Sequence, residues 1–333
     1  MLNVTPSSPH EESDAVIFNP ASLTIRISYK CNIRCKFCYN TSLIDSDIAL
    51  DEDRILALVK DGHKAGFCRL GISGGEAFIY AKSVIKIIIL AKELGYSAVS
   101  IVTNGFWGKS LKSTKNVISS LKNAGFLPPK DMLSMSAGEF HQEWIPPSYA
   151  KNIISEFNSA FGVPFTIDFE ITNGKEHLVQ EFHDFMAEHG IPEDAYKLRL
   201  RTVIANLGRG KNLAEEMTAA KPIGAFGKCN AVNRFVVQPT GAVVPCCGFN
   251  RFNEGIELGN IKESSIADII HNANSNIVNQ YLTHEPLHGI YKKLSEHFDL
   301  PENFTVACEL CEAIFGKKEH IDYLVDAWPK RNI

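Results

Sequence analysis

Between residues 23 and 205 the sequence alternates short apolar stretches of strand character with longer amphipathic ones, six times over. No other feature restricts the fold so strongly. A chain that alternates strand and helix builds βαβ units and a mostly parallel sheet, because each helix carries it back to the start of the next strand. Residues 23–28 alternate apolar and polar side chains, the period-two pattern of a strand. A helix follows over 51–66, with Asp51 as N-cap and Gly66 as stop. The pattern then predicts strands over 67–72, 98–102, 132–136, 165–171 and 196–205. It predicts helices over 79–95, 111–125, 147–161 and 176–190. The expected class is α/β, and periodicity alone does not say whether the sheet stays open or curls. Residues 1–20, polar at the start, read as a loosely attached arm.

A chain of 333 residues has room for roughly two domains of ~150 residues. Its 34 basic and 38 acidic residues leave a formal net charge of −4, which points to neither a nucleic-acid footprint nor a membrane surface. The start of the chain has no apolar core of signal-peptide type. The longest apolar run, near 84–90, is interrupted by Lys86 and is too short to span a bilayer. The nine cysteines fall at 31/35/38, 229, 246/247 and 308/311, with Cys68 alone. Clustered C-x2-C pairs without an export signal read as metal ligands rather than disulfides. A cytoplasmic protein working at low oxygen is expected.

The most specific stretch is Cys31-Asn-Ile-Arg-Cys35-Lys-Phe-Cys38, placed just after the first strand. Iron–sulfur cubanes are held by cysteine thiolates and contain four irons. Three ligands on one loop leave one iron open, and an open metal position can bind a small molecule. A zinc knuckle or scattered core thiols would be the alternatives. With Phe37 just before the third cysteine, the stretch resembles the motif of the radical S-adenosylmethionine (SAM) superfamily. The resemblance implies a [4Fe–4S] cluster whose open iron chelates the amino and carboxylate groups of SAM. It implies reductive cleavage of SAM to a 5′-deoxyadenosyl radical that abstracts hydrogen from substrate. It also implies a partial (βα)6 TIM-like barrel over residues 21–210, with function on the loops at the C-terminal ends of the strands.

Further motifs fall on those loops. Gly74-Gly75-Glu76 after the second strand resembles the family's GGE motif, which binds the SAM amino group; Ala77 replaces the usual following proline. A plain tight turn is the other reading of this stretch. Thr103-Asn104-Gly105 matches a TNG motif after the third strand, and Ser136 resembles a family serine near the SAM carboxylate or ribose. Arg201 on the sixth strand could pair with a carboxylate, or sit in a surface ion pair. Residues 206–210 resemble the glycine-rich stretch that lies along the adenosine in relatives. Glu139 and His141, in a polar and aromatic loop after strand four, are candidates to orient substrate or move a proton, or else mark a solvated helix entrance. Asp168 and Glu170 share one face of strand five, as substrate contacts or as ordinary charges.

Composition shifts at 211–228, which reads as a linker, so that residues 211–333 form a small C-terminal α+β unit. A hairpin is expected around Pro239-Thr240-Gly241, and Cys308-Glu-Leu-Cys311 is expected to open a final helix. Cys229, Gly241, Cys246, the LGNI stretch and the late C-x2-C resemble the shorter "twitch" form of the SPASM extension. That likeness implies one auxiliary [4Fe–4S] cluster held by Cys229, Cys246, Cys308 and Cys311. A structural zinc site with four cysteines has the same spacing. Cys247 is left over, as a substitute ligand, a packed small residue, or a thiol that returns a hydrogen atom to a substrate radical.

Taken with the resemblance, the expected function is hydrogen abstraction from a peptide, leading to epimerisation or crosslinking. The alternative enzyme is a radical dehydrogenase of a small alcohol or aminocyclitol, with the auxiliary cluster accepting the electron. A non-catalytic iron–sulfur electron carrier is the alternative from another class. Expected partners are the substrate and a flavodoxin- or ferredoxin-type reductant, without nucleic acid or membrane. Only about twenty residues precede the first strand, so leader-peptide recognition would fall to a separate protein or to the barrel surface.

Overall fold

The computed structural model describes residues 18–202, 207–212, 220–246 and 254–328. Six strands run side by side and parallel: β1 (Ser22–Arg26), β2 (Arg69–Ser73), β3 (Ala98–Thr103), β4 (Met132–Gly138), β5 (Phe165–Ile171) and β6 (Tyr196–Thr202). The helices between them are α1 (Glu52–Lys64), α2 (Ala81–Leu94), α3 (Leu111–Asn123), the short α4 (Glu139–Gln142), α5 (Pro147–Phe161) and α6 (His177–Glu188). The six-fold alternation in the sequence is therefore a parallel sheet with its crossover helices. β6 ends the strand order and is not paired with β1, so these strands form an open run rather than a closed barrel.

Local chemistry explains the boundaries. The Asp51 side chain accepts from the Arg54 N–H at 2.7 Å and caps α1. Ile55, Leu58, Val59 and Gly62 then face the core at helical spacing. Gly95 ends α2 in the left-handed conformation. Two expectations need correction. The stretch predicted as one helix from residue 79 starts as a 3-10 turn, Ala77–Tyr80, because the Glu76 side chain caps Phe78 before α2 begins. The arm is not loose at its end: Phe18 is fully buried, and its N–H donates to Asn274 Oδ1 at 2.8 Å.

The C-terminal part is built onto the same sheet. β7 (Phe235–Val237) lies parallel to β1 on its free side, with Leu23 opposite Phe235. β8 (Ala242–Val244) and β9 (Gly259–Asn260) follow antiparallel, giving the order β6-β5-β4-β3-β2-β1-β7-β8-β9. Five helices come next: α7 (Ile266–Ser275), α8 (Ile277–His284), α9 (Leu287–Ser295), α10 (Ala307–Phe315) and α11 (Lys318–Ala327). The β-strands and α7 share the main core, whereas α8 to α11 bury Tyr281, Ile290, Leu294, Leu310, Ile314 and Leu324 in a second one. The helix carrying Cys308 and Cys311 is not the last one. It ends at Gly316, and α11 packs its buried Leu324 and His320 back on the second core.

Candidate metal and cofactor site

Cys31, Cys35 and Cys38 lie on one loop beyond the end of β1, and all three thiols are free. The loop is held by its own backbone: Cys31 N–H donates to Leu43 O at 2.9 Å, Cys38 N–H to Cys35 O and Thr41 N–H to Cys38 O, each at 3.2 Å. Cys31 and Cys35 are buried, and Cys38 is half-buried. Burial pushes the Cys31 thiol up to about 12, and the nearby Glu76, Cys35 and Cys38 add to it. Such a thiol stays protonated in the bare chain and must lose its proton to bind metal.

Gly74 and Gly75 lie directly on this loop. Gly75 N–H donates to Ser28 O at 2.6 Å, and a Cβ on Gly75 would stand 2.2 Å from Lys30 O. Only glycine permits that approach. Glu76, 1% exposed, uses its carboxylate on the protein. It accepts from Phe78 N–H at 2.9 Å, from Thr103 Oγ1 at 2.7 Å and from Asn104 N–H at 2.6 Å. Its carboxylate therefore braces the loops after β2 and β3 against each other. Burial raises its pKa, with those hydrogen bonds opposing the shift. Thr103 also accepts from Gly105 N–H at 3.1 Å and from Trp107 Nε1–H at 3.2 Å. Asn104 turns its amide to the cysteine loop, donating to Asn32 Oδ1 at 2.9 Å and to Cys31 Sγ at 3.8 Å.

The ends of β4, β5 and β6 carry a polar row. Ser136, Asp168 and Arg199 are level across the sheet, and Gly138, Glu170 and Arg201 form the next level. Asp168 bridges both arginines, at 2.7 Å to Arg199 and 2.8 Å to Arg201. Arg201 thus already holds a protein carboxylate, and its exposed remainder faces outward. Glu139 accepts from the Thr172 hydroxyl at 2.7 Å and braces the start of the loop after β5. His141 is buried, with Nδ1 3.2 Å from Glu170 Oε2, close enough for an ion pair but off line for a hydrogen bond. Burial opposes its charge, yet Glu170 and the nearby Cys35 outweigh that and hold its pKa well above the usual value.

Cys229 and Cys246 flank the open end of the β7–β8 hairpin, where Arg234 N–H donates to Pro245 O at 2.8 Å. Cys308 and Cys311 lie one helical turn apart on α10. Burial raises the Cys311 pKa, and the nearby Cys246, Cys308 and Cys229 add to it. Cys247 lies outside the described residues, as does Asn206. No three His, Cys, Asp or Glu among the described residues are arranged to hold a single metal ion. The donor chemistry suits iron–sulfur clusters instead, since each set consists of cysteines alone, three in one and four in the other.

Two family profiles match the chain: the Radical SAM superfamily over residues 25–156, and the SPASM iron–sulfur cluster-binding domain over residues 229–292. The chain belongs to the radical SAM superfamily. As a radical SAM enzyme it uses SAM and a [4Fe–4S] cluster, and the SPASM domain adds auxiliary iron–sulfur chemistry. Cys308 and Cys311 fall beyond the matched SPASM residues. The chain is 22% identical over 316 residues to YydG of Bacillus subtilis (strain 168), named for peptide biosynthesis, covering 91% of this chain and 94% of that protein. It is 30% identical over 219 residues to an S-adenosylmethionine-dependent nucleotide dehydratase of Lacinutrix mariniflava, but spans only 39% of it. Among solved structures, Streptococcus suis SuiB bound to its precursor peptide SuiA superimposes with a TM-score of 0.53 at 14% identity, covering 91% of this chain and 72% of that one. No helix among the described residues is long and apolar enough to cross a membrane.

Sequence reasoning gave three residues no role in bracing the cysteine loop, although Arg209 lies in the 206–210 stretch. Arg209 donates from Nε to Cys35 O at 2.9 Å, from Nη1 to Ser42 O at 2.5 Å and from its N–H to Cys38 O at 3.1 Å. The stretch around it therefore grips the cysteine loop. Arg26, 3% exposed at the end of β1, donates to Asn40 Oδ1 at 3.0 Å and to Gln238 Oε1 at 3.2 Å, tying the loop to the hairpin. Arg26 falls at a polar position of the alternating strand, so its burial had no signal in the sequence. Gln238 had none, since a lone glutamine near a turn reads as surface.

Proposed function

We propose that this radical SAM enzyme modifies a peptide by hydrogen abstraction, with epimerisation or crosslinking as the outcome. The observation that carries the reading is the similarity to YydG along nearly the full length of both chains. The SuiB–SuiA likeness supports the fold alone. In this reading Cys31, Cys35 and Cys38 hold the SAM-binding cluster, and Cys229, Cys246, Cys308 and Cys311 hold the auxiliary one. Bound together, SAM and the reduced cluster supply the radical that begins the reaction. The protein's own task is placement. Gly74, Gly75, Thr103 and Asn104 form the wall at the SAM amino side, while Ser136 and Arg201 lie across the strand ends. Phe37, Glu139 and His141 line the cysteine-loop side. Electrons come from a flavodoxin- or ferredoxin-type reductant.

The test has two stages. Anaerobically reconstituted protein with reductant and SAM should release 5′-deoxyadenosine; if it releases none, the SAM-cleaving assignment fails. Co-expression with a short precursor peptide encoded beside the gene should then change that peptide. Crosslinking removes two hydrogens, and epimerisation in deuterated water leaves one deuterium. Turnover only of a small alcohol, with peptides untouched, would replace this reading by the dehydrogenase.

A further inference from the structure

The sheet face that carries Ser136 and Arg201 continues across the strands to β1, where it meets a recess of about 460 Å³. Thr24, Gly71 and Ser100 stand level across β1, β2 and β3 and line it from the sheet. A Cβ on Gly71 would stand 2.7 Å from Thr24 Oγ1, so the missing side chain helps to keep this level open. The chain after Cys229 supplies another part of the lining. Asn230 follows that cysteine directly, and Asn233 Oδ1 accepts from Asn19 N–H at 2.9 Å. Arg234 N–H is tied to Pro245 O, beside Cys246. Arg69 and Arg234 both line the recess and are exposed, and no Asp or Glu lines it. Two guanidiniums at one cavity, without a counter-charge in its lining, favour an anion there. The guanidinium fork matches a carboxylate, and the asparagine amides add neutral donors. The volume falls in the range of small-ligand sites, ~300–1,000 Å³. It suits a side chain or a chain end rather than a folded partner.

We infer, on the peptide reading above, that this recess is a substrate subsite in which Arg69 and Arg234 bind a carboxylate of the peptide, from an Asp or Glu side chain or from its C-terminus. The position gives the subsite a use. It shares a sheet face with Ser136 and Arg201, assigned above to the SAM side, and its lining includes the neighbour of the auxiliary ligand Cys229. A carboxylate fixed there holds one point of the peptide and so selects which residue meets the radical. The two arginines set specificity; they take no part in bond breaking.

The test measures binding of the precursor peptide to full-length, anaerobically reconstituted enzyme with SAM, by fluorescence anisotropy. A second peptide carries Asn and Gln for every Asp and Glu and has an amidated C-terminus. Combining Arg69→Gln with Arg234→Gln should weaken the acidic peptide about tenfold and leave the weaker, neutral peptide unchanged. Combining Arg69→Lys with Arg234→Lys keeps the charge, loses the fork and should fall between. Equal affinity of the acidic peptide for wild type and the double Gln variant overturns the inference. So does an equal loss for both peptides, which would mean a structural role. Should the double Gln variant lose iron, the single variants decide: a loss confined to the acidic peptide supports the subsite, and no loss overturns it. If both peptides bind wild type alike while inorganic phosphate binds wild type and not the double variant, the recess is a phosphate site and the carboxylate assignment falls. Wild type that releases 5′-deoxyadenosine yet binds neither peptide would sink the peptide reading itself, a distinct failure.

Discussion

The two cysteine sets of this enzyme are built in opposite ways. Cys31, Cys35 and Cys38 sit on one short loop, and the loop is gripped from several sides by Gly75, Asn104 and Arg209. Cys229, Cys246, Cys308 and Cys311 come from a hairpin and a helix with α7, α8 and α9 between them in the chain. The first set is local, so its geometry is mostly fixed by the fold of the parallel strands. The second set spans a long stretch of chain, so a cluster held there, as proposed, would also act as a crosslink. Metal binding to a site absent from the unfolded chain is folding free energy. The contrast teaches that metal should matter little to the fold of the first region and much to that of the second.

Removing ligands breaks the comparison most directly. Replacing Cys31, Cys35 and Cys38 by Ala should lower iron from about eight to about four per chain while the chain stays folded. Replacing Cys308 and Cys311 by Ala should remove the other half and loosen α8 to α11. Iron assay and hydrogen exchange would read both. Equal loss of protection in the two variants would erase the distinction. Next in size is Gly75→Ala, which forces a methyl against Lys30 O; overpacking of this kind costs about 1–3 kcal/mol, and iron should fall at the first site only. Arg209→Ala leaves the Ser42 carbonyl without its guanidinium donor and Cys35 O with Cys38 N–H alone, at a cost of about 1–3 kcal/mol in urea unfolding.

Smaller effects sharpen the picture. The Glu76 pKa is raised in the folded state above 4.5. Its stabilising contribution is therefore full below pH 4.5 and is lost as pH rises through the folded value, because the folded chain holds the proton more tightly. The stability difference between wild type and Glu76→Gln should follow that slope; a flat difference would contradict it. The exposed pair Lys211–Glu312, 2.7 Å apart, joins the stretch after Arg209 to the helix of Cys311. Glu312→Gln should change stability by less than about 1 kcal/mol. A larger loss would mean that this surface link couples the two sites.

Much of the first region was legible. Strands and helices appeared where periodicity placed them, within a few residues, because each buries one face in a common core. The Cys31–Cys38 spacing and the GGE and TNG stretches were visible because they are contiguous. What those residues do locally was less legible. The protein partners of Glu76 and Glu139 were not legible: their carboxylates accept from Phe78, Thr103, Asn104 and Thr172. Polar residue type is readable in sequence, but its partner is chosen by loops that meet only after folding. Phe18 was misread for the same reason, since its partner Asn274 is far along the chain.

By itself the sequence determined the alternation of strand and helix, the three-thiol loop at the end of β1, and with them the family. Period and spacing are properties of neighbours along the chain. Only the tertiary structure decided that β7 lies beside β1, that Cys229 and Cys246 come near Cys311, and that His141 stands beside Glu170. Those facts depend on which buried surfaces and polar groups satisfy one another across long separations, and no local pattern encodes that choice.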